Sequence, residues 1–214
     1  MGIRDKENEL FDNLKQFNPD IVIDGIIDEA SYSDARYKII FILKEVNGGK
    51  GWDLREYVYS GGRPQTWNNI ARWTEAVLGW EKDFTWSQME TNNEERRNVQ
   101  LKMIGAVNIK KTSGGYVSNE KEIYEAGELN SEILRAQIKL YDADYIILCG
   151  TEGAFVSSYY KNKAIDWKMT KRGIRYFCDD RCKIVSFCHP EARIGDNYMF
   201  YMLADAIKEI NTTL

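Results

Sequence analysis

The chain has 214 residues, 43% of them hydrophobic, and a formal net charge of −4 at pH 7. This length suits one well-buried core, so we expect residues 1–214 to form a single domain and the protein to be a monomer. The apolar runs are far shorter than the roughly 20 residues of a membrane span, the amino terminus is charged and only four cysteines occur. We therefore expect no membrane helix, no signal peptide and no disulfide framework. The expected protein is cytoplasmic and makes no membrane contact.

The charges are unevenly distributed along the chain. Residues 1–36 form an acidic segment, since the first 34 residues hold nine acidic and three basic side chains, and we expect this segment to be helical. Residues 161–175 carry six basic side chains and one acidic side chain, with aromatic residues in or beside them. Such a patch can contact phosphates, and Lys171 and Arg172 are its candidates for DNA binding. A solvated surface with extended lysine side chains is an equally good interpretation.

Four apolar runs rich in β-branched residues predict strands, and helical periodicity predicts helices between them. Strands that alternate with helices are typical of a parallel sheet covered on both sides. We therefore expect an α/β fold, a three-layer α/β/α sandwich with a central, mainly parallel sheet of about four strands, whose core spans residues 37–211. The predicted strands lie at residues 37–44, 103–110, 144–150 and 182–189.

Polar side chains at the carboxyl ends of these strands are the candidate functional residues, because loops and helix amino termini converge there. Glu45 follows the first run and would emerge at the rim of the sheet, where a carboxylate can orient or activate water. An ion pair with Lys44 or a neighbouring base is the alternative for Glu45. Asn108 ends the second run, and its amide offers the donor and acceptor needed to read a pyrimidine edge, unless it caps a turn.

His189 is the only histidine of the chain and ends the fourth run. With an ordinary pKa of about 6.5, an imidazole can donate to a developing oxyanion or act as an acid or base, although a lone histidine is often structural. The spacing of Cys178, Cys182 and Cys188 matches no strong metal pattern, so we expect neither a metal nor another cofactor. The sequence contains no phosphate-binding loop, nucleophile elbow or dinucleotide-binding glycine motif.

Taken in order, these strand ends resemble those of the uracil-DNA glycosylase superfamily. The stretch "IIFILKEVNGG" is similar to the first motif of that family, "TWNNI" to its loop that opens a helix beneath the DNA backbone, and "AVNIKK" to its strand with a base-reading asparagine. The stretch "YIILCGTEGAF" resembles the strand that ends in a small turn before a helix. Finally, "VSFCHPEAR" resembles the second motif, whose His-Pro pair begins a loop that enters the DNA minor groove. The likeness spans about residues 37 to 211.

The resemblance implies a DNA glycosylase that removes a deaminated or damaged base, with uracil as the first expectation. Glu45 would position the attacking water near the cationic sugar, and His189 would donate a hydrogen bond to the pyrimidine O2 as negative charge grows there. Asn108 would read the base edge. Asn47 stands where other members have a tyrosine that blocks the methyl group of thymine.

Further residues follow from the same resemblance. Tyr57 or Tyr59 would stack on the flipped base, and Arg193 or Ile194 would act as the wedge in the DNA. Glu191 replaces the small hydroxyl residue that usually follows His-Pro. The residues assigned to DNA binding are Thr66, Asn68, Lys110, Lys111, Lys171, Arg172, Arg193 and Ile194.

Two other functions fit the same residues. The chain could be a catalytically altered member of the fold that binds nucleic acid through its basic segment. It could also be a hydrolase of free nucleosides or nucleotides, for which the overall negative charge is no disadvantage.

Overall fold

The structure is a computed structural model that describes residues 1–161 and 163–213. These residues form ten α-helices, one short 3₁₀ turn and a seven-stranded sheet. The strands are β1 (Gly25–Ile26), β2 (Ile39–Leu43), β3 (Ile104–Asn108), β4 (Tyr145–Cys149), β5 (Lys168–Met169), β6 (Arg175–Asp179) and β7 (Cys182–Phe187). The helices are α1 (Ile3–Phe17), α2 (Glu29–Asp34), α3 (Leu54–Tyr59), α4 (Pro64–Leu78), α5 (Trp86–Met89), α6 (Asn93–Gln100), α7 (Glu120–Leu129), α8 (Ser131–Tyr141), α9 (Glu152–Tyr160) and α10 (Asp196–Thr213).

The sheet is mixed, with the strand order β1-β3-β2-β4-β7-β6-β5. The α/β class predicted from the sequence is confirmed, and the four predicted strands correspond to β2, β3, β4 and β7, which pair in parallel as neighbours. The predicted number of about four strands was too low, because β1, β5 and β6 extend the sheet in antiparallel orientation. Two of these extra strands have only two residues each, too few for a recognisable alternation pattern.

Both faces of the sheet are covered by helices. Phe41 of β2 packs in a core with Trp73 of α4 and Ile207 of α10, which we call the α4/α10 face. The next residue, Ile42, points to the opposite side and packs with Leu134 of α8; we call this side the α8/α9 face. Alternation along the central strands therefore separates two apolar cores. None of the helices in the described ranges combines the length and apolar character that a membrane crossing requires.

The acidic amino-terminal segment folds against the body of the protein. It contains α1 and α2, as expected for a helical segment, and also β1, which pairs with β3. Two of its acidic side chains, Glu7 and Asp24, are wholly buried. Arg55 of α3 donates a hydrogen bond to Glu7 at 2.7 Å. Part of the acidity of this segment is therefore used for ion pairing inside the fold.

Candidate functional site

The carboxyl edge of the parallel strands carries the residues predicted to act in catalysis and base reading. Asn108 ends β3 in register with Leu43 of β2, whose side chain belongs to the core on the α4/α10 face. Glu45 lies two residues beyond Leu43, in the loop after β2. His189 lies two residues beyond Phe187, in the loop after β7. Because β2, β3 and β7 run parallel, Glu45, Asn108 and His189 lie at the same carboxyl edge of the sheet.

Glu45 is buried between the loops that follow β2 and β3. Its side chain is 4% exposed, and its Oε2 lies 2.8 Å from Nζ of Lys110. This contact is an ion pair, and no other described group donates a hydrogen bond to Oε2. The main chain of Gly114 passes against the carboxylate so closely that a Cβ atom there would overlap it. Such an oxygen can accept a hydrogen bond from water or a ligand.

Lys110 bridges two carboxylates. Besides Glu45, its Nζ contacts Oε2 of Glu122 in α7 at 3.1 Å. Burial alone would lower the pKa of Lys110, but Glu45 and Glu122 together outweigh burial and raise that pKa. The sequence predicted Lys110 as a DNA-binding residue, whereas in the structure its side chain is 15% exposed and engaged by both carboxylates.

Asn108 presents an unsatisfied acceptor beside Glu45. The residue is 2% exposed, and its Oδ1 is buried with no hydrogen-bond partner. Its backbone N–H donates to Oδ2 of Asp24 at 2.8 Å, so the main chain is fixed while the side-chain oxygen is not used. Buried polar atoms are almost always paired in folded proteins, and an unpaired one at a strand end indicates a place for a ligand or water.

His189 is held in a defined protonation state. The backbone N–H of Glu191 donates to Nδ1 of His189 at 3.1 Å, so the neutral ring carries its proton on Nε2. Burial is the main cause that lowers the pKa of His189; the Glu191 carboxylate opposes this shift, and Lys44 and Arg63 add to it. At neutral pH the imidazole is therefore an uncharged hydrogen-bond donor through Nε2.

The loop after His189 is attached to α4 by Glu191. Arg63 and Thr66 both donate hydrogen bonds to the Glu191 carboxylate. Burial would raise the pKa of Glu191, but these hydrogen bonds, together with the charge of Arg63, outweigh it and lower that pKa. The negative charge that the sequence places after His-Pro is thus paired with Arg63 at the protein surface. The hydroxyl of Thr66, predicted to bind DNA, is used in this attachment.

Sequence reasoning missed a second attachment of the same loop. Asn69 of α4 is buried, and its Nδ2 donates to the carbonyl of Pro190 at 2.9 Å and to Oδ1 of Asp196 at 3.0 Å. Arg72 donates to Oδ1 of Asn69 and to Oδ2 of Asp196, both at 2.9 Å. The motif "TWNNI" therefore positions the histidine loop through buried polar side chains. The sequence did contain an indication of this role: Asn69 is a polar residue among the apolar positions of an amphipathic helix, and such a residue usually has a buried partner.

The predicted aromatic residues lie in different places. Trp52 donates from Nε1 to the carbonyl of Gly48 at 3.3 Å, and its ring meets the ring of Tyr57 edge-on at 5.7 Å. Half-exposed Tyr57 thus lies near the loop that contains exposed Asn47. Tyr59 instead lies under Nζ of Lys102, 4.5 Å from its ring centre. Since Lys102 precedes β3, Tyr59 lies toward the amino end of that strand, and its role in stacking stays a prediction.

Lys111 was wrongly predicted as a DNA-binding residue. Its side chain is wholly buried, and its Nζ contacts the two oxygens of Asp24 at 2.8 and 3.0 Å. Oε1 of Gln137 accepts a third hydrogen bond from the same ammonium at 2.6 Å. The ammonium of Lys111 is thus paired in the interior, where it cannot reach a phosphate.

The remaining predicted DNA contacts do not form one surface. Oδ1 of Asn68 accepts a hydrogen bond from Arg97. The backbone N–H of Lys171 donates to Glu209, and the guanidinium of Arg172 donates to Asp205; both acceptors lie in the second half of α10, away from the histidine loop at its amino end. Arg193 and Ile194 are exposed within the histidine loop. Of this group, these two remain next to His189.

A cavity of about 230 Å³ opens on the α8/α9 side of the same edge. It lies where α9 begins after β4, and two cations, Lys44 and Arg175, contribute to its wall. Arg175 pairs with Glu152 in the first turn of α9, and Tyr124 of α7 also borders the cavity. Glu45 does not line this cavity, whereas a Cβ atom at Gly150, which does, would lie within 4 Å of both His189 and Lys44.

The cysteines considered as metal ligands are free thiols. Burial raises the pKa of Cys182 to about 12 and also raises the pKa of Cys188, so both remain protonated at neutral pH. Over residues 1–161 and 163–213, no group of three or more His, Cys, Asp or Glu side chains is arranged to hold a metal ion.

Comparison with known proteins adds no relative from which a function can be transferred. No protein-family model matches the chain, and no curated protein matches its sequence. The functional assignment therefore depends on the residues of this chain and on their geometry.

Proposed function

We propose that this protein is a hydrolase that cleaves the N-glycosidic bond of a deaminated or damaged base in DNA, with uracil as the first substrate to test. The observation that supports this proposal is a set of polar atoms at the carboxyl edge of the sheet: the buried Oδ1 of Asn108, which has no hydrogen-bond partner, the Glu45 carboxylate and the donor Nε2 of His189. A nucleobase offers N–H groups to acceptors and carbonyl oxygens to donors, so it matches this set.

The charges at these positions suit the reaction. Cleavage of the bond between base and sugar develops positive charge on the sugar and negative charge on the departing base. The Glu45 carboxylate would stabilise the sugar cation and orient the attacking water. The neutral imidazole of His189 would donate from Nε2 to the base oxygen that gains negative charge.

The separation of these groups suits a nucleoside between them. One strand, β4, lies between β2 and β7. Since adjacent strands are about 4.8 Å apart, Glu45 and His189 are separated by about 10 Å across the sheet. Asn108 would hold the edge of the base, and Tyr57, beside the loop of Asn47, would stack on its ring.

The test is excision from single-strand and duplex oligonucleotides that carry uracil, hypoxanthine, xanthine or 5-hydroxymethyluracil, followed by alkaline cleavage at abasic sites. We expect strand breaks with the natural chain, and at least about 100-fold fewer with Glu45→Gln or His189→Ala. Glu125→Gln is the matched control for removal of a carboxylate, because Glu125 of α7 is exposed and pairs with Lys121 on the same helix. Breaks that persist in both site variants would contradict the proposal.

A second outcome distinguishes the binding alternative. DNA binding that weakens with salt, without excision of any of these bases, would favour a catalytically altered member that only binds nucleic acid.

We propose hydrolysis of free nucleosides or nucleotides as a second candidate function. The supporting observation is that Lys110 and Lys111, two of the cations assigned to DNA, are paired inside the protein. A free nucleoside needs few phosphate contacts, and the cavity beside Lys44 and Arg175 offers cations for a single phosphate. Release of free base from nucleosides and nucleoside monophosphates, measured by chromatography, tests this candidate. Cleavage of nucleosides without cleavage of oligonucleotides would favour it over the first proposal.

A further inference from the structure

Two main-chain hydrogen bonds connect the loop that contains Lys110 to the loop that contains Glu45. Its backbone N–H donates to the carbonyl of Lys44 at 3.0 Å, so the pairing of β2 and β3 continues past the strand ends. Beyond it, the N–H of Gly114 donates to the carbonyl of Val46 at 2.9 Å. These two hydrogen bonds flank Glu45 in sequence and lock the loop around its carboxylate.

The two carboxylates that face Lys110 differ in exposure. The Glu45 side chain is 4% exposed, whereas the Glu122 side chain is 56% exposed. Glu122 belongs to α7, so the ammonium is held between a carboxylate of a loop and a carboxylate of a helix. Among the described residues, Lys110 is the cation in ion-pair contact with the Glu45 carboxylate.

The contact with Lys110 leaves part of the Glu45 carboxylate available. An ammonium 2.8 Å from Oε2 engages that oxygen on one side, and no other described group donates to it. An ionised carboxylate has about four acceptor positions on its two oxygens. Positions that the ammonium does not engage can accept a hydrogen bond from water.

We propose that Lys110 is a positioning residue, whose ammonium fixes one orientation of the Glu45 carboxylate without occupying the lone pair that the attacking water needs. The identity of that water rests on the function proposed above, whereas the pairing of the two side chains does not. A role of Lys110 in DNA binding, which the sequence alone predicts, is the competing explanation.

The first test measures the pairing in solution and needs no substrate. The pKa of Lys110, followed through its Cε resonance by NMR titration, should fall in Glu45→Gln, because burial still lowers it while one of the two opposing carboxylates is lost. The fall should be smaller in Glu122→Gln, because water screens the exposed Glu122. The resonance of Lys139, exposed on α8, is the internal reference in all three proteins. A Lys110 pKa that is unchanged in Glu45→Gln would overturn the proposal.

The second test separates positioning from binding. On the substrate found by excision or base release, Lys110→Met should lower kcat by about 10- to 100-fold with KM altered less than about threefold, and Lys110→Arg should recover most of kcat. Lys121→Met is the matched control and should match the natural chain. If Lys110 binds phosphate instead, Lys110→Met will raise KM, leave kcat intact and reduce the salt slope of binding by about one, which would refute positioning. If no substrate is cleaved, the proposed function fails, and the NMR titration still decides the pairing.

Discussion

Replacing Lys111 by methionine would remove the cation that faces a wholly buried carboxylate. The ammonium lies within 3.0 Å of both oxygens of Asp24, and both side chains are 0% exposed. Methionine keeps much of the aliphatic volume of lysine but carries no charge. In Lys111→Met, the Asp24 carboxylate would keep two neutral donors, the N–H of Asn108 and the amide of Gln137.

The expected loss of stability follows from these contacts. Removal of one partner from a buried ion pair destabilises a protein by about 3–5 kcal/mol, because the other charge stays buried without compensation. The two remaining hydrogen bonds to the Asp24 carboxylate each contribute about 1.5–3 kcal/mol, so we expect a loss near the lower limit, about 3 kcal/mol. Since burial lowers the pKa of Lys111 against the opposing effect of Asp24, the ammonium itself is also poorly solvated. The double variant Asp24→Asn/Lys111→Met should therefore be more stable than Lys111→Met.

Urea unfolding at 25 °C, followed by tryptophan fluorescence, measures these differences in the free energy of unfolding. Lys121→Met is the matched control, and it should lie within about 1 kcal/mol of the natural chain because its ion pair is exposed. A loss below about 1 kcal/mol for Lys111→Met, or a double variant less stable than the single one, would refute the reasoning from an uncompensated buried charge.

Two further predictions concern the candidate site. In Glu191→Gln, the pKa of His189, measured by NMR of the imidazole, should fall further below its ordinary value, because the carboxylate that stabilises the imidazolium is lost. Since a lowered histidine pKa means that the unfolded chain binds the proton more tightly, the free energy of unfolding should decrease as the pH falls below about 6.5, and more so in Glu191→Gln. A His189 pKa that rises in Glu191→Gln would contradict this prediction. Gly114→Ala should displace Glu45 and lower activity by at least about tenfold. Gly115→Ala is the control and should not lower activity, because nothing lies within 4 Å of the added Cβ. Equal effects of the two substitutions on activity would contradict the position assigned to Glu45.

The central strands were predictable because their physical signal is local. The run Ile39–Leu43 is buried along its whole length, as a strand covered on both faces requires, and its composition alone indicates this. The strands Gly25–Ile26 and Lys168–Met169 carry no such signal. Each of these strands has two residues. Both residues of Lys168–Met169 are exposed, so this strand forms through pairing with its neighbour rather than through an apolar pattern of its own.

The part of the candidate site that lies at the carboxyl ends of the strands was predictable from the sequence. Parallel strands end at one edge, so Glu45, Asn108 and His189 could be grouped from the sequence. The roles of two adjacent lysines could not be distinguished in the same way. Lys111 pairs with Asp24, which is 87 positions away in the sequence, and Lys110 pairs with Glu45 across two loops. Only the tertiary fold brings these partners together, so the sequence analysis assigned both lysines to DNA binding.

The distribution of charge inside the fold bears on how a substrate would be held. Segment by segment, the sequence suggests an acidic amino terminus and a mildly basic body able to attract phosphates. In the structure, the acids of that terminus neutralise cations of the body, as Glu7 does with Arg55 and Asp24 does with Lys111. Cations removed from the surface cannot release counterions from DNA. Under the function proposed above, the site around His189 would depend more on hydrogen bonds and stacking on the base, and less on phosphate contacts, to recognise its substrate.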